Sequence, residues 1–220
     1  MKTAIAVLLV CAVSCCAASP RLVFIKSFPG STPEYVWIGV DKAGGLEYKE
    51  SPKEDEQPVK ARLPDSDVAG LFSLAEKLGF FKTPLESGLK VANTGKKTFR
   101  FEPETGTPTE AVFNYSLDVS AQQLLEKFEQ IAATERGYID LDRAVHFDKL
   151  GVNDALAEIE SLWLRRQLAA PLQFVPLLER ISSRPAFMHL ARERAANLKD
   201  QFTGTLPQST DPAATDGKAK

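Results

Sequence analysis

Past residue 16 the chain has no cysteine: its three, Cys11, Cys15 and Cys16, all sit at the N-terminal end. A body built from the remainder cannot use disulfides and must be held by packing alone. Histidine is almost as scarce. His146 and His189 fall on separate helical segments, each four residues from a carboxylate, Asp142 and Glu193, a spacing that puts each pair on one helix face. A zinc site would need further ligands converging on them, and neither an HExxH pattern nor paired cysteines occur. Surface or boundary histidines are therefore expected. Also missing are the Gly-x-Ser-x-Gly elbow, the Walker loop and the dinucleotide glycine pattern. Gly44-Gly45 reads as a turn, since no helix follows it to receive a phosphate. The sequence assigns no catalytic residue, no metal ligand and no cofactor. A carboxylate acid/base pair that forms only in the fold is the one catalytic arrangement left open, and Glu54-Asp55-Glu56 reads more simply as a solvated loop.

A strong charge of one sign is lacking too. The net charge is -2 and no basic stripe stands out, which argues against nucleic acid as a partner. The apolar run Ala4 to Val13 is shorter than the roughly 20 residues a membrane span needs. Hydrophobic residues make up 44% and charged residues 25%, enough apolar surface for a folded core and outside the disordered class.

What is present begins with an export signal over residues 1–20. Lys2 supplies a short positive start, Ala4 to Val13 the apolar run, and Cys15 to Ser19 a small-residue cleavage zone. Two fates are open. Ala12-Val13-Ser14-Cys15 resembles a bacterial lipobox, which would put a lipid on Cys15; the other fate is ordinary cleavage after Ala18 or Ser19. A lipid on Cys15 would leave about five residues before the first strand, a reach of at most ~18 Å, and would hold the body close to the membrane. It is the only membrane contact the sequence supports. The expected location is the periplasm, the membrane surface through that lipid, or the medium, as for a bacterial cell-envelope protein.

Residues 21–136 read as an α+β domain. Arg21 to Phe28 is a strand ended by Pro29-Gly30; Tyr35 to Val40 and Leu46 to Lys49 form a hairpin with one solvated face on its second strand. Val59 to Leu63 adds a short strand. Val68, Leu71, Phe72, Ala75 and Leu78 recur at helical steps after Asp65, a cap candidate, and Gly79 ends that helix, with Phe80 and Phe81 folding back as core. Thr98 to Glu102 and Ala111 to Ser116 form a second hairpin, with Phe99 and Phe101 on one face. Ser120 and Gln123 have capping-box spacing and Val119 can staple onto Leu124, so a helix starts there, and Gly137 ends it. The predicted fold class is α+β: an antiparallel sheet packed on two helices, followed by an all-α helical-hairpin extension.

Strand signals disappear over residues 137–202. Helices are predicted over Leu141 to Leu150, Asp154 to Leu168, Pro171 to Ile181 and Pro185 to Phe202, with Pro176 hard to place inside a helix and Ser183 a plausible cap. Residues 203–220 lack a core face and read as a disordered tail. The arginines of the helical half, Arg165, Arg166, Arg180, Arg184, Arg192 and Arg194, are interleaved with Glu158, Glu160, Glu179 and Glu193; helix-surface ion pairs are the first reading and anionic-surface binding the second. Trp37, two residues from Tyr35 in the most aromatic strand, is either core or part of an exposed binding edge, and these two residues are the candidate binding surface. Asn114-Tyr115-Ser116 matches a glycosylation sequon but falls in a predicted strand.

The layout from Leu22 to Ala133, with a helix ending in Leu78-Gly79-Phe80-Phe81, resembles that of emfourin-type inhibitors of thermolysin-like proteases, small exported domains in which an antiparallel sheet packs on two helices. The resemblance spans about half the chain and carries no inhibitory residue across. It implies a binding or inhibitory module. The C-terminal helices resemble one or two HEAT-like hairpins. The expected function is a non-enzymatic envelope protein that binds a protein partner, with protease inhibition as its sharpest form; the alternative is an envelope enzyme with a carboxylate site.

Overall fold

The computed structural model describes residues 19–53 and 56–204. The predicted export signal up to Ala18, Cys15 included, and the predicted tail beyond Gly204 lie outside the described residues.

Six strands form one antiparallel sheet in the order β4-β3-β2-β1-β5-β6. They are β1 (Arg21–Ser27), β2 (Tyr35–Asp41), β3 (Gly45–Lys49), β4 (Val59–Arg62), β5 (Lys96–Glu102) and β6 (Thr109–Phe113). Helix α1 (Asp65–Lys77) connects the two outer halves by carrying the chain from edge strand β4 to β5, on the far side of β1. Because alternate side chains point to opposite faces, the five longer strands each offer one row to the helices: Leu22 and Phe24, Val36, Ile38 and Val40, Leu46 and Tyr48, Phe99, and Ala111 with Phe113; Val59 and Ala61 of β4 are partly buried against them. Phe24 stacks on Phe128 from the second helix at 5.1 Å, and Phe99 lies 5.0 Å from Phe113 and 5.4 Å from Phe81. These rings carry the first core, as the alternation predicts.

Pro64 rather than Asp65 occupies the cap of α1; Asp65 is its first helical residue and, with Asp67, favours the positive end of the helix dipole. Beyond Gly79, Phe80 and Phe81 both take left-handed backbone (φ 51° and 65°), a conformation that costs a bulky residue roughly 1–2 kcal/mol. Burying Phe81 and stacking Phe80 on Phe101 at 4.4 Å offset it.

The next helix departs most from expectation. Helix α2 (Val119–Phe147) runs straight through Gly137 and absorbs the segment predicted as a separate helix. Its cap is Asp118, whose carboxylate accepts from the amides of Ser120 and Ala121; the Ser120/Gln123 capping box is not used, and Val119 is exposed. A mid-helix glycine costs about 1 kcal/mol. What outweighs it is burial on both sides of the glycine: Leu124, Phe128 and Ile131 enter the first core, and Leu141, Ala144 and Val145 enter a second. That second core is completed by α3 (Val152–Leu164), α4 (Val175–Ser183) and α5 (His189–Phe202). Pro176 sits in the first turn of α4, where its missing N–H has no helical partner to lose. The α3–α4 connection ends α3 earlier than predicted, with left-handed Arg166 (φ 56°) and Ala170 (φ 44°), and includes a 3₁₀ turn over Pro171–Phe174. Helix α5 starts at His189, later than predicted, without Ser183 as its cap.

Candidate functional site

The helices cover one face of the sheet, and the other face is where Tyr35 and Trp37 stand. Register aligns its side chains in cross-strand rows. Lys49, Trp37, Ile25, Thr98 and Val112 form one row; Lys60, Glu47, Gly39, Val23, Arg100 and Glu110 form the next; Asp41, Arg21 and Glu102 the third. A mostly apolar stripe from Trp37 to Val112, with Thr98 its one polar member, thus crosses β2, β1, β5 and β6, roughly 14 Å at the usual strand spacing, bordered on one side by charges of alternating sign and on the other by Tyr35, Ser27 and Lys96. Trp37 is not core. It is half-buried on the open face, and Tyr35 beside it is equally half-buried, its phenol pushed up first by burial and then by Glu56.

Arg21 is the side chain that organises this face. Its guanidinium lies across β2 directly over Gly39, where a β-carbon would collide with it. From there it stacks 4.7 Å from the Trp37 ring and reaches Glu47 on β3 at 2.5 Å. Lys49 approaches the same ring at 5.9 Å, and Lys60 approaches Glu47 at 3.7 Å. The hydrogen bond from Arg21 holds the Glu47 carboxyl below its ordinary range, despite partial burial. Beyond the stripe, Arg100 pairs with Glu102 at 3.1 Å and with Glu110 at 4.0 Å. A groove of about 370 Å³ lined by Arg21, Asp41, Glu47, Lys60 and Glu102 opens at one end of the face. Sequence reasoning missed Arg21, Gly39 and Glu47. The available signal was Gly39 itself, a lone glycine inside a strand, which marks a close approach by another group.

A second polar site lies at the other end of the sheet, on its helix side. Lys97 is nearly fully buried, and its ammonium donates to Thr94 Oγ1 at 2.8 Å, the Asn114 carbonyl at 2.9 Å and the Gly95 carbonyl at 3.2 Å. Burial, then Lys26, lowers its pKa. With its donors engaged, Lys97 ties the 86–95 loop to the end of β6, beside a cavity of about 190 Å³. Asn114, the sequon residue, falls just past β6 and is tied into the same loop: its side chain accepts from the Thr94 amide at 2.9 Å and donates to the Ala92 carbonyl at 3.1 Å.

The histidines sit as the helix spacing predicts, His146 3.4 Å from Asp142 and His189 3.3 Å from Glu193. Among the described residues no group of three or more His, Cys, Asp or Glu could hold a metal ion, and no helix is long and apolar enough to cross a membrane. In the helical half Arg194 pairs with Glu160 at 3.0 Å and also donates to Asn153, while Arg180 reaches His146 at 3.1 Å. The structure therefore brings Tyr35 and Trp37 together with charged residues of β1 and β3 on one surface, and keeps the helical arginines apart from it. Comparison with protein-family models, curated proteins and solved structures yields no match to the chain.

Proposed function

We propose that the chain is an exported, non-enzymatic envelope protein that binds another protein through the open face of its sheet. The observation that carries this reading is the Trp37–Ile25–Thr98–Val112 stripe, flanked on one side by the Arg21–Glu47 and Arg100–Glu110 pairs. It suits a protein partner because its centre is mostly aromatic and aliphatic, its rim is charged on one side, and Trp and Arg are the side chains that contribute most when an interface buries them. Rigidity adds to this. Arg21 is already held by Gly39, Trp37 and Glu47, so little side-chain entropy is lost on docking.

The test is capture from a native envelope fraction with the wild-type chain and with Trp37→Ala. The reading expects a crosslinkable protein recovered with wild type and lost with a folded Trp37→Ala; equal recovery by both, or none by either, would overturn it. Protease inhibition is the sharpest form, resting on the emfourin-type resemblance. Titrating a thermolysin-like protease with the chain should abolish its activity stoichiometrically, and undiminished activity removes that form while leaving the binding surface to the capture experiment.

A further inference from the structure

Glu135 is a carboxyl placed where ionisation is costly. It lies midway along α2, between the stretches that enter the first and second cores, and its side chain has no exposed surface. One oxygen accepts a hydrogen bond from Gln173 Nε2 at 2.8 Å, and the other, Oε2, is buried without a partner. Among the described residues it has no ion-pair partner, for the adjacent Arg136 turns away to Glu50 and Asp140, 3.7 Å from each. The groups facing it from other elements are Gln173 and the Tyr48 phenol of β3, with Tyr138 on its own helix; both phenols are themselves pushed up, chiefly by burial. Tyr48 donates to Glu50 at 2.9 Å, which adds a further negative group on that side.

Gln173 belongs to the α3–α4 connection, which is anchored at its C-terminal end by Phe174, fully buried in the second core and edge-on to Tyr138 of α2 at 5.6 Å; ahead of that anchor it is seated on α2 by few contacts. Thr134 Oγ1 accepts from the Ala169 amide at 2.9 Å, Ala170 is buried in the first core, and Gln173 reaches Glu135. Against these stand two left-handed non-glycine residues, Arg166 and Ala170. An anionic Glu135 in this place would have one hydrogen bond and no cation, so the seated form favours the neutral acid.

We propose that Glu135 is a proton latch: residues 165–173, ahead of the Phe174 anchor, seat on α2 with a proton on Glu135 and lift from it when that proton leaves, so that acid tightens, and neutral pH loosens, the join between sheet and helical half. Burial pushes the seated carboxyl up to about 7 from an ordinary 4.5, which sets the working window.

Hydrogen exchange of the full chain across pH 4.5 to 8.5, corrected for intrinsic exchange, tests the proposal. Protection over 165–173 should fall by up to roughly tenfold per pH unit between the ordinary and raised values, then level off, while β1 and β5 stay protected. Glu135→Gln should flatten that dependence. Protection of 165–173 that ignores pH in the wild type, or the same slope in Glu135→Gln, overturns it. Should the variant not fold, a carbon NMR titration of the wild-type Glu135 carboxyl decides: a midpoint above about 6 agrees, and one near the ordinary 4.5 contradicts.

Discussion

Arg21 lies across β2 because Gly39 has no side chain, and Glu47 holds it there. Gly39→Val should therefore lift the guanidinium from Trp37 and Glu47 and let the Glu47 carboxyl titrate closer to its ordinary value, measurable by NMR. The stability cost should be small, about 1 kcal/mol, because the pair is partly exposed. Glu135 gives the opposite pH signature. Its folded value is raised to about 7 from 4.5, so unfolding releases its proton in that window, and its contribution to stability falls as pH rises from about 4.5 to 7. The full effect is about 3 kcal/mol, read as the difference between wild-type and Glu135→Gln urea unfolding at several pH values. A difference that does not change with pH would contradict it. Neither residue announced itself in the sequence: Arg21 is the first residue of a strand, and Glu135 is one acid among many on a helix. Their roles come from what a glycine leaves empty and from two helical segments closing over one side chain, and both are long-range.

The elements were more legible than their joints. Alternation in Leu46 to Lys49 and the three- and four-residue steps of Val68 to Leu78 report burial on one side, and the structure buries those positions. Gly137 misled because glycine stops a helix only when neither flank gains enough from continuing, and here the C-terminal flank fills a second core. A β-carbon at Gly137 would meet Ile159 Cγ1 at 3.6 Å and Leu162 Cδ1 at 4.0 Å, ordinary contacts with α3. Gly137→Ala should therefore stabilise the chain by about 1 kcal/mol and raise its melting temperature. A loss of stability would mean that α2 needs a break or a hinge at this point. The segment from Arg165 to Phe174 was read as a helix end and a helix start because its two left-handed residues are arginine and alanine, which carry no such signal.

At the scale of the whole molecule, two apolar cores share one helix of 29 residues, roughly 43 Å long, and the sheet presents a free face away from it. Fold class was readable because strands and helices segregate along the chain; the proposed binding face was only half readable, since Tyr35 and Trp37 declared an aromatic strand but not the side it faces. The central claim is that this face binds a protein, and a photo-crosslinking amino acid at position 37, compared with one at exposed Arg165 in the helical half, tests it most directly. In a native envelope fraction the account predicts a discrete crosslinked product from position 37 and none from position 165. No product from position 37, or the same product from both, would contradict it.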